Sequence, residues 1–91
     1  MNMRLGKHGL SREGFDLLWD QQNGRCAICR VALVFGKRGV HVDHDHLTNK
    51  VRGLLCAPCN VGLGQFGDSP ELLRAALDYL LEEDKVHEYR K

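Results

Sequence analysis

The stretch VDHDHLTNKVRGLLCAPCN, residues 42–60, decides how this chain folds. It joins an acid–imidazole run, Asp43, His44, Asp45 and His46, to a Cys-x-x-Cys pair, Cys56 and Cys59, with Asn60 directly after it. Twenty-six residues separate that pair from an earlier one, Cys26 and Cys29. Each such turn presents two sulfurs to one ion, and zinc takes four thiolates tetrahedrally. Cys26, Cys29, Cys56 and Cys59 therefore read as one structural Zn2+ site with no position open to substrate. A rubredoxin-like iron centre and a redox dithiol are the other readings of four thiols. The interval between the pairs is long enough for a complete hairpin. Closing it with a metal offsets chain entropy that a small core cannot.

The acid–imidazole run sits inside that closed loop. Side chains alternate along a strand, so one residue of each type can face a substrate while its neighbour braces the strand. Asn60 follows Cys59, so the metal that fixes the cysteine also fixes the amide. Phosphodiester hydrolysis needs such a set: a base to activate water, and a hard cation to offset charge on the phosphoryl and leaving oxygens. Asp43 and Asn60 suit a magnesium ion, which takes few protein ligands and keeps several waters. His44 suits the base, because a neutral imidazole accepts a proton near pH 7. A polar surface cluster, or a second zinc site, is the plainer reading of the same residues.

Size and composition set the outer bounds. The 91 residues suit a single domain over 1–91, with 1–10 as an N-terminal arm and 82–91 as a charged tail. So short a chain has a limited core and leans on a metal, disulfides or a partner. The first ten residues carry Arg4 and Lys7 and no apolar run. No stretch approaches the roughly 20 apolar residues that cross a bilayer. The expectation is an intracellular, cytoplasmic protein whose thiols stay reduced. The net charge of +1 is uneven: residues 1–52 carry nine Lys/Arg against five Asp/Glu, and residues 53–91 carry four against seven. The basic half suits phosphate contact, although an ordinary solvated surface accounts for it equally well.

The elements follow from local chemistry. Ser11 caps a helix through about Asn23, with Phe15, Leu18, Trp19 and Gln22 on one face and Asn23-Gly24 as its stop. Val31–Phe35 is a β-prone run, Gly36–Gly39 a turn, and Val40–Asp43 an alternating strand, which puts a hairpin tip at Lys37 and Arg38. Val51–Leu55 suits a short strand. A helix opens near Ala57 or Pro58 and runs to about Gly64. Another starts at Ser69-Pro70, with Leu73, Ala76, Leu77, Leu80 and Leu81 forming a stripe that reads as core. The fold class is α+β, with helices flanking a hairpin and a four-cysteine zinc site.

Taken together, Cys26-x-x-Cys29, Val42–His46, Val51–Cys56 and Cys59-Asn60 resemble the recombination endonuclease VII family, within the HNH or His-Me finger nucleases. The resemblance covers about residues 19–81. It implies a ββα-metal finger beside a four-cysteine zinc. It also implies catalytic residues His44, Asp43 and Asn60, with Asp43 and Asn60 holding a catalytic Mg2+ or Mn2+. His46 and Asp45 are further metal contacts or orienters of His44, and His41 shares the strand parity of Asp43. The implied products carry 5′-phosphate and 3′-hydroxyl ends. The family's founding member resolves branched DNA as an intertwined dimer with a long C-terminal region. This chain ends soon after the Leu73–Leu81 helix, which suits a monomeric nicking enzyme or a partner of a larger phage DNA-processing complex. The resemblance, many of whose members are phage-encoded, implies a phage origin.

Arg25, Arg30, Lys37, Arg38, Lys50 and Arg52 flank these motifs and are the candidate DNA contacts. No base-reading element is visible, so weak sequence preference and strong salt dependence are expected. The main rival is a noncatalytic zinc module for nucleic acid or protein, which gives no reason for Asp43, His44 and Asn60 to occur together.

Overall fold

The structure, a computed structural model, describes residues 10–36 and 39–82. The expected arm before Leu10, the tail beyond Glu82, and Lys37 and Arg38 lie outside the described residues. The element order is α1 (Arg12–Gln21), β1 (His41–His44), β2 (Val51–Leu55), α2 (Ala57–Gln65) and α3 (Pro70–Leu81). β1 and β2 form a two-stranded antiparallel sheet. This is the α+β, ββα arrangement that the sequence motifs imply.

Local signals place the helix boundaries. The Ser11 hydroxyl accepts the Gly14 N–H at 3.0 Å and starts α1. Asn23 and Gly24, both at positive φ, end it, and the Gly24 N–H donates back to the Trp19 carbonyl at 2.9 Å. A Cβ on Gly24 would stand 3.0 Å from the Trp19 ring, so glycine serves both the turn and the packing. Cys56 is the N-cap of α2. Ser69 caps α3 by accepting the Leu72 N–H at 3.1 Å, with Pro70 at the first turn.

The core is small and continuous with the cysteines. Cys26, Leu33, Leu54 and Leu55 are buried, and Phe15, Leu18, Trp19, Val40, Val42, Cys56, Cys59 and Leu63 pack around them. Trp19 stacks on Phe35 at a centroid distance of 5.3 Å, which ties α1 to the segment after the first cysteine pair.

The hairpin differs from the one expected. The sequence points to strands at 31–35 and 40–43 with a tip at 37–38. The observed hairpin instead pairs β1 with β2 and turns at 45–50. The reason is competition for backbone partners. The Cys26 N–H donates to the Val31 carbonyl and the Leu33 N–H to the Gly24 carbonyl, each at 2.8 Å. Arg25 and Ala32 form only an isolated bridge. The apolar run therefore folds back over its own cysteine pair and is not available to β1.

α3 also departs from expectation. It has the predicted bounds, yet it contains no buried residue; Leu77 is 52% exposed, Leu80 77% and Leu81 71%. Among the described residues, the closely packed element pairs are β1 with β2, α1 with β2 and α2 with β1, and α3 is in none of them. An apolar stripe specifies which face a helix would bury, not that the chain brings a surface to meet it.

Candidate active site and metal centre

The four cysteines converge. Their Sγ atoms all lie within 4.8 Å of one another, and Cys29 and Cys56 approach to 3.7 Å. A tetrahedral zinc–thiolate centre requires sulfurs about 3.8 Å apart, so the site fits a metal of that kind. Burial raises the Cys26 thiol, but hydrogen bonds from the backbone at Cys56, Cys29 and Ile28 outweigh it and hold it at about 6. Burial and hydrogen bonds to the other cysteines push Cys59 up to about 12. Four thiols this close cannot all lose their protons unaided, and a central cation removes that obstacle.

The cysteine cluster joins the turn at 26–29 to the N-terminal turn of α2. β1, which carries Asp43 and His44, packs against α2, which carries Asn60 in its first turn. The sheet register is His41 to Leu55, Val42 to Leu54, Asp43 to Gly53 and His44 to Val51. Between the last two pairs β2 holds one extra residue, Arg52, which makes a β-bulge. A bulge bends the strand that carries the extra residue and re-aims its side chains, so the regular alternation of β2 is broken at Arg52.

Arg52 grips Asp43 with two bonds, Nε to Oδ2 at 2.7 Å and Nη2 to Oδ1 at 3.1 Å. The same Nη2 reaches Oδ2 of Asp68 at 3.1 Å. The hydrogen bond to Asp43 contributes most to raising the Arg52 pKa above its ordinary value, and Asp68 adds to it. His46 Nε2 lies 3.2 Å from the same Asp68 oxygen, and its ring stands edge-on to His44 at a centroid distance of 4.9 Å. Asp43, Arg52, Asp68, His46 and His44 thus form one contiguous polar chain. In the sequence Asp68 merely precedes the Ser69-Pro70 helix start. Its positive φ of 56° in the turn between α2 and α3 swings it back toward β2, a placement no local motif announces.

Asp45 has turn duty. Its Oδ1 accepts the N–H of Leu47 at 2.7 Å and of Thr48 at 3.2 Å. These bonds lower its pKa below the ordinary carboxylate value, the Leu47 amide contributing most. Of the basic candidates, Arg25 donates from Nη1 to the Arg30 carbonyl at 3.2 Å, and Arg30 and Lys50 are exposed. Lys37 and Arg38 lie outside the described residues. Among the described residues no helix is long and apolar enough to cross a membrane.

Comparison with known proteins agrees with this geometry. The profile of the recombination endonuclease VII family matches residues 2–82. The chain is 46% identical over 77 residues to the Gene 59 protein of Mycobacterium phage D29, covering 84% of this chain and 46% of that protein. It is 41% identical over 83 residues to the Gene 59 protein of Mycobacterium phage L5, covering 90% and 50% respectively. The chain therefore spans about half the length of these curated relatives. The crystal structure of the ββα-Me type II restriction endonuclease Hpy99I superposes with a TM-score of 0.60 at 30% identity, covering 76% of this chain and 38% of that one. The match over most of the sequence and the shared ββα core place the chain in the recombination endonuclease VII family.

Proposed function

We propose that this protein is an HNH-type endonuclease that hydrolyses DNA phosphodiester bonds, nicking duplex DNA to leave 5′-phosphate and 3′-hydroxyl ends. The observation that carries this reading is the packing of β1, the strand of Asp43 and His44, against α2, the helix of Asn60, in a chain whose four cysteines also cluster. The all-thiolate donor set, with its sulfurs within 4.8 Å of one another, supports structural zinc. The guanidinium already paired with Asp43 supports a cation-binding role for that carboxylate.

In this reading Asp43 and Asn60 hold the catalytic divalent ion. When bound, a Mg2+ or Mn2+ ion offsets charge on the phosphoryl oxygen and the leaving 3′ oxygen. His44 accepts the proton of the attacking water through its imidazole nitrogen. Asp68 pairs with His46, whose ring abuts His44 and limits how that imidazole can turn. Asp45 keeps the hairpin turn closed, so its part is to support His44 and His46. Arg25, Arg30, Lys50 and Arg52 supply positive charge along the DNA path, together with Lys37 and Arg38. Binding should weaken steeply with salt. The relatives' phage origin supports a phage-encoded protein. In this reading it acts on DNA in the host cytoplasm, as a monomer or within a larger DNA-processing complex.

The test is supercoiled plasmid incubated with protein and Mg2+ or Mn2+. Wild type should give relaxed circles, and His44→Ala almost none. Equal cutting by wild type in EDTA would refute the metal mechanism.

A further inference from the structure

We propose that Arg52 is a built-in competitor for the catalytic cation: it occupies the Asp43 carboxylate in the resting protein, and a divalent ion binds only as the guanidinium withdraws onto Asp68. The inference rests on Asp43 being a ligand of that ion.

The geometry carries the argument. Arg52 covers both oxygens of Asp43, at 2.7 and 3.1 Å, with the parallel fork that matches a carboxylate. A guanidinium does not lose its proton in a protein, so it cannot make room for a second cation by neutralising. It has to move. The place for it exists: Nη2 already contacts Asp68 Oδ2 at 3.1 Å while it holds Asp43. Movement toward Asp68 keeps an ion pair throughout. The side chain is 38% exposed, so it is not locked in the core.

The bulge supplies the arm. Arg52 is the extra residue on β2 opposite the step from Asp43 to His44, so its backbone is outside the regular ladder. Asp68 is fixed by its own N–H, which donates to the Leu63 carbonyl at 2.8 Å. His46 Nε2 lies against the same Asp68 oxygen at 3.2 Å. Withdrawal of Arg52 onto Asp68 therefore also alters the partner of the ring beside His44.

A static role for Arg52, orienting Asp43 for the ion, predicts the opposite sign. If Arg52 orients, its removal weakens ion binding. If Arg52 competes, its removal tightens it. A DNA phosphate would offer the displaced guanidinium a further anion, so DNA and the divalent ion should bind cooperatively and reciprocally.

The experiment is Mn2+ binding to the metal-stapled protein without DNA, read from the electron paramagnetic resonance signal of free Mn2+. Arg52→Gln should tighten binding about five-fold or more. Arg52→Lys keeps the charge but loses the fork, and should tighten binding less; it also serves if the glutamine variant does not fold. Asp68→Asn removes the retreat and should weaken binding. Unchanged or weaker binding in the folded Arg52 variants overturns the proposal. Asp43→Ala separates the two ideas. If it binds Mn2+ as wild type does, the assignment of Asp43 as ligand fails. If it abolishes binding while the Arg52 variants do not tighten it, only the competitor role fails.

Discussion

The side-chain amide of Gln22 pairs with the backbone of Leu54 as a neighbouring strand would. Its Nε2 donates to the Leu54 carbonyl at 3.0 Å and its Oε1 accepts the Leu54 N–H at 2.9 Å. A third bond runs from Nε2 to the Arg25 carbonyl at 2.7 Å. One polar residue thus joins the end of α1, the entry to the first cysteine pair and the C-terminal part of β2. Gln22→Ala leaves the buried Leu54 N–H without its partner. We expect a loss of about 2–4 kcal/mol in urea unfolding of the metal-loaded protein.

Gly53 depends on the same contact. A Cβ there would sit 3.0 Å from Gln22 Oε1. Gly53→Ala should therefore cost about 1–3 kcal/mol. Combined with Gln22→Ala it should cost less than the sum, because the obstructing oxygen is gone. Additive losses in the double mutant would show that the contact does not matter.

Metal affinity should depend on pH in a defined way. Thiolates, not thiols, bind the ion, so acid competes with it. Cys59, pushed up to about 12, must give up its proton to the metal across the whole physiological range. Cys26, held at about 6, competes only when pH falls below that value. Apparent zinc affinity should fall as pH drops, and the slope should steepen below about 6. Competition with a fluorescent chelator between pH 5 and 8 checks this, and an unchanged slope counts against it. Full removal of the metal should unfold α2 and abolish plasmid nicking together.

The two histidines should separate kinetically. His44→Ala should lower the nicking rate about a hundred-fold or more, the scale of a lost general base. His46→Ala removes the contact to Asp68 and the edge against His44, and should cost less. Equal losses would move the base assignment away from His44 alone.

α3 offers a stability test. Leu80 is 77% exposed. Leu80→Ala should change stability by no more than about 0.5 kcal/mol, as surface positions do. A core leucine would cost several-fold more on thermal or urea unfolding.

Much of this protein is set by short-range chemistry and so can be read along the chain. Cys26, Cys29, Cys56 and Cys59 announce a metal because two Cys-x-x-Cys turns have few other uses. Ser11, Asn23, Gly24, Ser69 and Pro70 mark helix ends because capping involves only neighbouring backbone groups. Those positions agree with the observed helices to within a residue or two. The acid–imidazole run, Asn60 and the family motifs were visible for the same reason.

Tertiary structure decided what depends on a choice between distant partners. Val31–Leu33 had two uses for its backbone, and the turn around Cys26 took precedence over a strand beside β1. The bulge at Arg52, the two-point bond from Gln22 and the return of Asp68 toward β2 each link residues well separated in sequence. The apolar stripe of α3 shows the limit of periodicity: it records which face is apolar, whereas burial requires another surface within reach. Sequence alone thus determined the two cysteine pairs that cluster and the helix ends. Only the folded chain settled which carboxylates share one arginine, because that depends on strand register and a single extra residue in β2.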